Sequence, residues 1–179
     1  FVKKGLVFDV NRMEKERTRL SGILKNEGYY LFDDEFIHYK VDTTLTPFSA
    51  FIDMIIENPK SSSPNKSGYS AHKKYTISDY SIFIDKQKKN VSSMNQVSYS
   101  DTTFREGFTF HHNGKMSLKE NLFLKSIEIK PGELYTKKNE DKTYNNLYAL
   151  RQFKFVNIKY FEEENLGDSL NGVLKGRIF

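Results

Sequence analysis

The residues that could do chemistry in this chain are few and poorly convergent. His111 and His112 are adjacent. Neighbours on a strand point to opposite faces, so the pair cannot easily share an ion, and a metal site needs several convergent donors. His38 and His72 have no acidic or histidine partner at ligand spacing. Asp33-Asp34-Glu35 and Glu162-Glu163-Glu164 lack the alternating oxygen ligands and glycine of a calcium loop, so both read as solvated loops. Serines are numerous, but no nucleophile elbow, phosphate-binding glycine loop or paired-carboxylate motif frames any of them. The expectation is a non-covalent function: no enzyme, no metal and no cofactor.

Charge and composition narrow the partners. The 179 residues carry a net charge of +5, with 37% hydrophobic residues and no tryptophan or cysteine. Mean hydropathy is -0.64 and the isoelectric point about 9.1. Such a mild excess of positive charge points only weakly to anionic partners. Lys86-Gln87-Lys88-Lys89 lacks interleaved stacking aromatics, so nucleic-acid binding is not expected. Lys73-Lys74 and Lys137-Lys138 read as solvated faces that could approach anionic head groups. Without cysteine there are no disulfides or thiolate metal sites. No signal peptide opens the sequence and no apolar run is long enough to span a bilayer. A chain that starts Phe-Val-Lys-Lys reads as a fragment.

The elements follow from periodicity. Asp9 is placed to cap a helix, with Phe8 before it stapling onto Met13. Met13, Leu20, Ile23 and Leu24 share one face, and Gly28 sits where a left-handed residue ends a helix. Phe36 to Asp42 and Phe51 to Glu57 alternate with period two, so they are strands, and the short connection between them predicts antiparallel pairing. Residues 59–74, rich in Ser, Pro, Lys and Gly, read as a linker. Tyr75 to Asp85 is the next strand. Lys86 to Glu106 reads as a polar, irregular insertion, the whole insertion reaching to about residue 116. A short extended run at Phe108–His111 and a short helix through Leu118, Leu122 and Phe123 follow. Thr136 caps a helix to about Gln152, Phe155 to Phe161 is a strand, Glu162 to Leu170 a loop, and Val173 to Phe179 a last strand.

One segment occurs twice. Val2 to Phe32 and Ile129 to Val156 share a glycine turn, an aromatic, an N-cap, a helix with leucine on one face and an aromatic-rich entry to a strand. Gly5 aligns with Gly132, Phe8 with Tyr135, Leu20 with Leu147 and Leu24 with Leu150. Repeated supersecondary units mean a modular array. The expected organisation is α-β-β over 1–58, a linker over 59–74, and β-α-α-β-β over 75–179 with its insertion. Each module is a two-layer α+β plate, a three-stranded sheet with two helices on one face, and the first lacks its opening strand and helix.

A β-α-α-β-β unit repeated in tandem resembles the POTRA (polypeptide-transport-associated) domain of outer-membrane assembly and translocation proteins of the BamA/TamA type. The residues that carry the resemblance are Gly5 to Phe8, Pro131 to Tyr135, and the helix-to-strand passages Leu24 to Phe32 and Leu150 to Ile158. Their wording is similar to surface-antigen-type proteins of Bacteroidetes-like bacteria. Two points depart from the pattern: the second copy lacks the Gly-Tyr pair at the helix exit, and no barrel sequence is present.

The resemblance implies a periplasmic arm of an outer-membrane protein, held to the membrane by a barrel outside this sequence. Its partners would be unfolded outer-membrane proteins or accessory assembly proteins. Open sheet edges pair with extended chains through the backbone, which tolerates many sequences. The family usually exposes the strand after the long helix. That makes Phe36, Ile37, His38, Tyr39, Lys40 and Val41 one expected binding edge, and Phe155, Val156, Asn157, Ile158, Lys159 and Tyr160 the other. Lys40 and Lys159 would discourage self-pairing. Two other readings stay open: an unrelated α+β adaptor that binds nucleic acid through its basic surface, and an enzyme with an unrecognised site.

Overall fold

The computed structural model describes residues 3–60, 68–84, 99–114, 120–163 and 170–179. Helix α1 (Val10–Asn26) is followed by a 3-10 turn at Asp34–Phe36 and an antiparallel pair, β1 (Ile37–Asp42) and β2 (Phe51–Ile56). Then come β3 (Lys74–Ile84), β4 (Asp101–Arg105), β5 (Phe108–His112), α2 (Glu120–Ser126), α3 (Lys137–Ala149), β6 (Ile158–Glu163) and β7 (Asn171–Ile178). The last five strands form one mixed sheet in the order β4-β5-β3-β7-β6. β3 runs parallel to both β5 and β7, while β4–β5 and β6–β7 are antiparallel.

The helix ends follow from single residues. The Asp9 carboxylate accepts from Asn11 N at 2.9 Å, and the Thr136 hydroxyl accepts from Asn139 N at 3.3 Å. Each cap stands four residues after a left-handed glycine, Gly5 at φ +85° and Gly132 at φ +84°. The two aligned segments therefore share local geometry as well as wording. They differ at the aromatic before the cap: Phe8 is exposed, whereas Tyr135 is buried.

Gly28 ends α1. Its N–H bonds Lys25 O while Tyr29 N bonds Leu24 O, the paired closure that needs a left-handed residue at this position, and Gly28 has φ +97°. A Cβ here would lie 2.7 Å from Leu134 Cδ1. Gly28→Ala should therefore cost about 2 kcal/mol, from left-handed backbone strain plus displacement of Leu134. A denaturant midpoint unchanged from wild type would contradict this account.

The sheet is wider than the sequence reading expected. Residues 101–105, inside the predicted irregular stretch, form β4, and the expected extended run at Phe108–His111 is β5; the two make a hairpin. Glu106 (φ 51°) and Gly107 (φ 81°) make the tight two-residue turn that suits strand twist. β5 then pairs with β3 from Tyr80 onward, so the hairpin adds two strands to the expected three, β3, β7 and β6. Phe108 and Phe110 point into the core, giving the hairpin its reason to dock. The rest of the predicted insertion, 86–98 and 115–116, lies outside the described residues, as do Asp85 of the predicted strand, Leu118 of the predicted short helix and Glu164.

One face of the sheet carries the core. Tyr75, Ile77, Tyr80 and Ile82 of β3, Phe108 and Phe110 of β5, and Leu174 and Ile178 of β7 pack with Phe123 of α2 and Leu147 of α3. A bulge at Ser78 shifts the β3 register between Ile77 and Asp79. This one-residue shift returns Tyr80 and Ile82 to the face that Tyr75 and Ile77 occupy. On the opposite face the Phe83 ring stacks between His111 and Phe179, at 4.6 and 5.0 Å. His111 and His112 thus fall on opposite faces, His112 being buried.

The β1–β2 pair is less complete. Ile37 is fully buried, but Phe51, Met54, Ile55 and Ile56 of β2 are all exposed. β7 has a strand on both sides, whereas among the described residues β2 pairs with β1 alone.

Candidate polypeptide-binding edge

β6 is the outer strand of the five-stranded sheet, and among the described residues no strand pairs with its far side. Its register with β7 fixes which backbone groups are spent. Asn157 and Phe179 exchange both backbone hydrogen bonds, at 3.0 and 2.9 Å. Pairs alternate along an antiparallel ladder, so Lys159, Phe161 and Glu163 also face β7. The N–H and C=O groups of Ile158, Tyr160 and Glu162 point outward. This is a row of unpaired donors and acceptors of the kind a chain in extended conformation can meet.

The strand is shorter than the sequence reading placed it. Of the expected residues, Ile158, Lys159 and Tyr160 lie in β6, while Phe155, Val156 and Asn157 precede it. Val156 is buried and Phe155 exposed. Asn157 still belongs to the ladder through its two bonds to Phe179. Glu162 and Glu163, expected in a loop, extend β6 because both have work in the sheet. Glu162 accepts from the Tyr75 hydroxyl at 3.1 Å, and Glu163 meets Lys175 at 2.7 Å. That ion pair holds the Glu163 carboxyl below its usual range.

The helix-facing side of β6 ends in a tyrosine cluster. Tyr80 donates to the Tyr160 hydroxyl at 2.9 Å, and Tyr135 donates to Glu140 at 3.0 Å. The Tyr30 ring, from the turn after α1, packs edge-on against Tyr135, Tyr160 and Tyr75 at 4.9, 5.2 and 6.0 Å. Burial is the main cause that pushes the hydroxyls of Tyr75, Tyr80, Tyr135 and Tyr160 far above the usual tyrosine range. Nearby carboxylates add to it, Glu162 at Tyr75 and Glu140 at Tyr135. These groups are neutral hydroxyls, not candidate bases.

The cluster joins two parts of the chain. Gly28 O accepts from Tyr75 N at 2.9 Å, the Asn26 side chain accepts from Lys138 N at 2.8 Å, and Lys74 lies over the Tyr29 ring. Lys25 and Tyr30 from this joint, with Tyr135, Lys137, Glu140, Ile158 and Tyr160, line a cleft of about 220 Å³ beside β6.

The other expected edge is β1. Ile37, His38, Tyr39, Lys40 and Val41 are in the strand, and Phe36 closes the 3-10 turn before it. Phe36 O accepts from Glu57 N, so Ile37, Tyr39 and Val41 direct their backbone groups away from β2. The two expected edges do not form one surface: β1 belongs to the two-stranded sheet and β6 to the five-stranded one. A third margin, β4, was not anticipated, although Thr103-Phe104-Arg105 before a Glu-Gly turn and the alternating Phe108-Thr109-Phe110 carried its signal.

No protein-family model and no curated protein matches the chain. Solved structures do. POTRA3–5 of BamA from Haemophilus influenzae matches 99% of the chain at 9% identity and a TM-score of 0.50. POTRA1–3 of the periplasmic domain of Omp85 from Anabaena matches 97% at 11% identity and a TM-score of 0.37. The chain spans about half the length of these structures, 51% and 52%. The order β3-α2-α3-β6-β7, with β7 between β3 and β6, is what the expected β-α-α-β-β unit requires. The fold of this chain is that of the POTRA domains of BamA.

Proposed function

We propose that this chain is a polypeptide-binding part of the periplasmic region of an outer-membrane assembly factor, built of POTRA units in series over 1–58 and 75–179. Residues 59–74 link the units. Extended segments of unfolded outer-membrane proteins, or of accessory proteins, add as a strand to the open edge of β6, and a second site of the same kind lies along β1. No cofactor or covalent step is involved. The observation that carries the reading is the outward row of backbone groups at Ile158, Tyr160 and Glu162. The fold likeness to BamA POTRA domains supports the setting.

Ile158→Pro tests it. The Ile158 N–H is outside the β7 ladder, and proline is tolerated on an edge strand where its missing donor faces solvent. The variant removes one donor and places a ring where a client backbone would lie. Crosslinking of an unfolded barrel-strand peptide should fall about tenfold, matching roughly 1.4 kcal/mol, while the chain stays folded with a stability loss of about 1 to 2 kcal/mol from the Ile158 side chain that packs against the core. Equal capture by wild type and Ile158→Pro would refute pairing at this edge; Val41→Pro, at an exposed position whose backbone faces away from β2, makes the same test at β1.

A further inference from the structure

We propose that the cleft beside β6 is a subsite for an aromatic side chain: a strand paired with β6 seats one ring among Tyr30, Tyr135 and Tyr160. The inference rests on the edge reading above and adds which client segments that edge selects. Ile158 and Tyr160 direct their backbone groups outward and are at the same time walls of the cleft. A partner residue directly opposite Tyr160 carries its side chain on the same sheet face, within about 5 Å at the Cβ atoms. That side chain enters the cleft.

The cleft's size and walls select a ring. Its volume of about 220 Å³ equals roughly seven liquid waters at about 30 Å³ each, room for one large side chain. The wall rings already meet edge to face, Tyr30 with Tyr135 at 4.9 Å, Tyr30 with Tyr160 at 5.2 Å and Tyr135 with Tyr160 at 5.4 Å. A fourth ring continues this packing, which aromatic pairs favour beyond the area they bury. The cations of the lining are already paired, Lys137 with Glu140 of the same lining and with Asp141, Lys25 with Asp33. The cleft therefore has no strong demand for an anion. Lys25 and Tyr30 come from the α1 side of the joint and the other walls from α3, β6 and the turn before α3, so the subsite is built only when the two are packed together.

Two fluorescent peptides of alternating apolar sequence provide the test, one with Phe and one with Ala at a single inner-face position. By anisotropy the Phe peptide should bind the full chain about tenfold more tightly. Tyr30→Leu should bring that ratio below about threefold. Ile158→Pro should weaken both peptides together. A benzophenone at the Phe position should crosslink to peptides bearing Tyr30, Tyr135 or Tyr160, a readout independent of whether Tyr30→Leu folds. Equal affinity of the two peptides for wild type, with both lost in Ile158→Pro, overturns the subsite and leaves the edge standing. Failure of both to bind wild type overturns the edge and the subsite with it. Crosslinks confined to the opposite face, or protection by N-acetylphenylalaninamide without any strand peptide binding, also overturn the proposal.

Discussion

Gly176→Ala should destabilise the protein by about 3 kcal/mol, the upper end of the usual range for overpacking a well-filled core. Gly172 and Gly176 are the inner-face residues of β7 that stand directly opposite Tyr75 and Tyr80 of β3. Each tyrosine lays its ring across the glycine beside it. A Cβ on Gly176 would overlap Cε1 and Cδ1 of Tyr80, and one on Gly172 would overlap Cε1 of Tyr75. Tyr80 cannot yield readily, because its ring is fully buried, lies near Phe108 and is tethered through its hydroxyl to Tyr160. Tyr75 is held through Glu162, whose carboxylate is part-exposed, so Gly172→Ala should cost less. A double-mutant cycle with Tyr80→Leu separates crowding from loss of strand geometry. Removing the ring should cancel a large part of the alanine's cost, whereas Tyr80→Phe should cancel none. Purely additive effects of Gly176→Ala and Tyr80→Leu would place the ring elsewhere.

The sequence places a last strand at Val173 to Phe179, and β7 is there as Asn171–Ile178; what its glycines hid is where it starts and what it pairs with. Asn171-Gly172-Val173-Leu174-Lys175-Gly176 reads as a weak strand, because glycine lowers strand propensity and contributes no packing. Its strength comes from tyrosines nearly a hundred residues away, across a parallel ladder that no local pattern announces. Features set within one turn of chain were legible: the Asp9 and Thr136 caps, the Gly28 helix stop and the alternation at β1. The repeat was legible because its glycine turns impose the same backbone twice.

Strand β4, and with it the hairpin it makes with the expected run at Phe108–His111, was missed for a different reason. Polar residues before Asp101 lent their character to the whole stretch, although the strands themselves alternate around a Glu-Gly turn. The candidate site was half legible. A strand after the long helix could be named as an edge, but the cleft could not. It needs Tyr30 from one side of the joint and Tyr135, Ile158 and Tyr160 from the other, a meeting that depends on tertiary packing alone.

The same tyrosines should make the fold fail abruptly in alkali. Tyr75, Tyr80, Tyr135 and Tyr160 all have hydroxyls held far above the ordinary tyrosine value, chiefly by burial. A raised folded value means the neutral form is favoured in the native state. The stability tied to it is complete below about pH 10, where unfolded tyrosine is neutral, and is lost as pH rises beyond that point. Each such group lowers stability by about 1.4 kcal/mol per pH unit, so four acting together remove roughly 5 kcal/mol per unit. Set against a total stability on the order of 5 to 15 kcal/mol, unfolding should fall within about one to three units above pH 10. Because the native state resists ionisation throughout this range, the four hydroxyls should ionise only as the chain unfolds. The tyrosinate absorbance of these groups and the loss of far-ultraviolet circular dichroism should then rise in one shared step. Tyr135→Phe should lower the slope of stability against pH by about a quarter. Ionisation of more than the seven remaining tyrosines beneath an intact dichroism signal would mean that solvent reaches these four hydroxyls in the folded state.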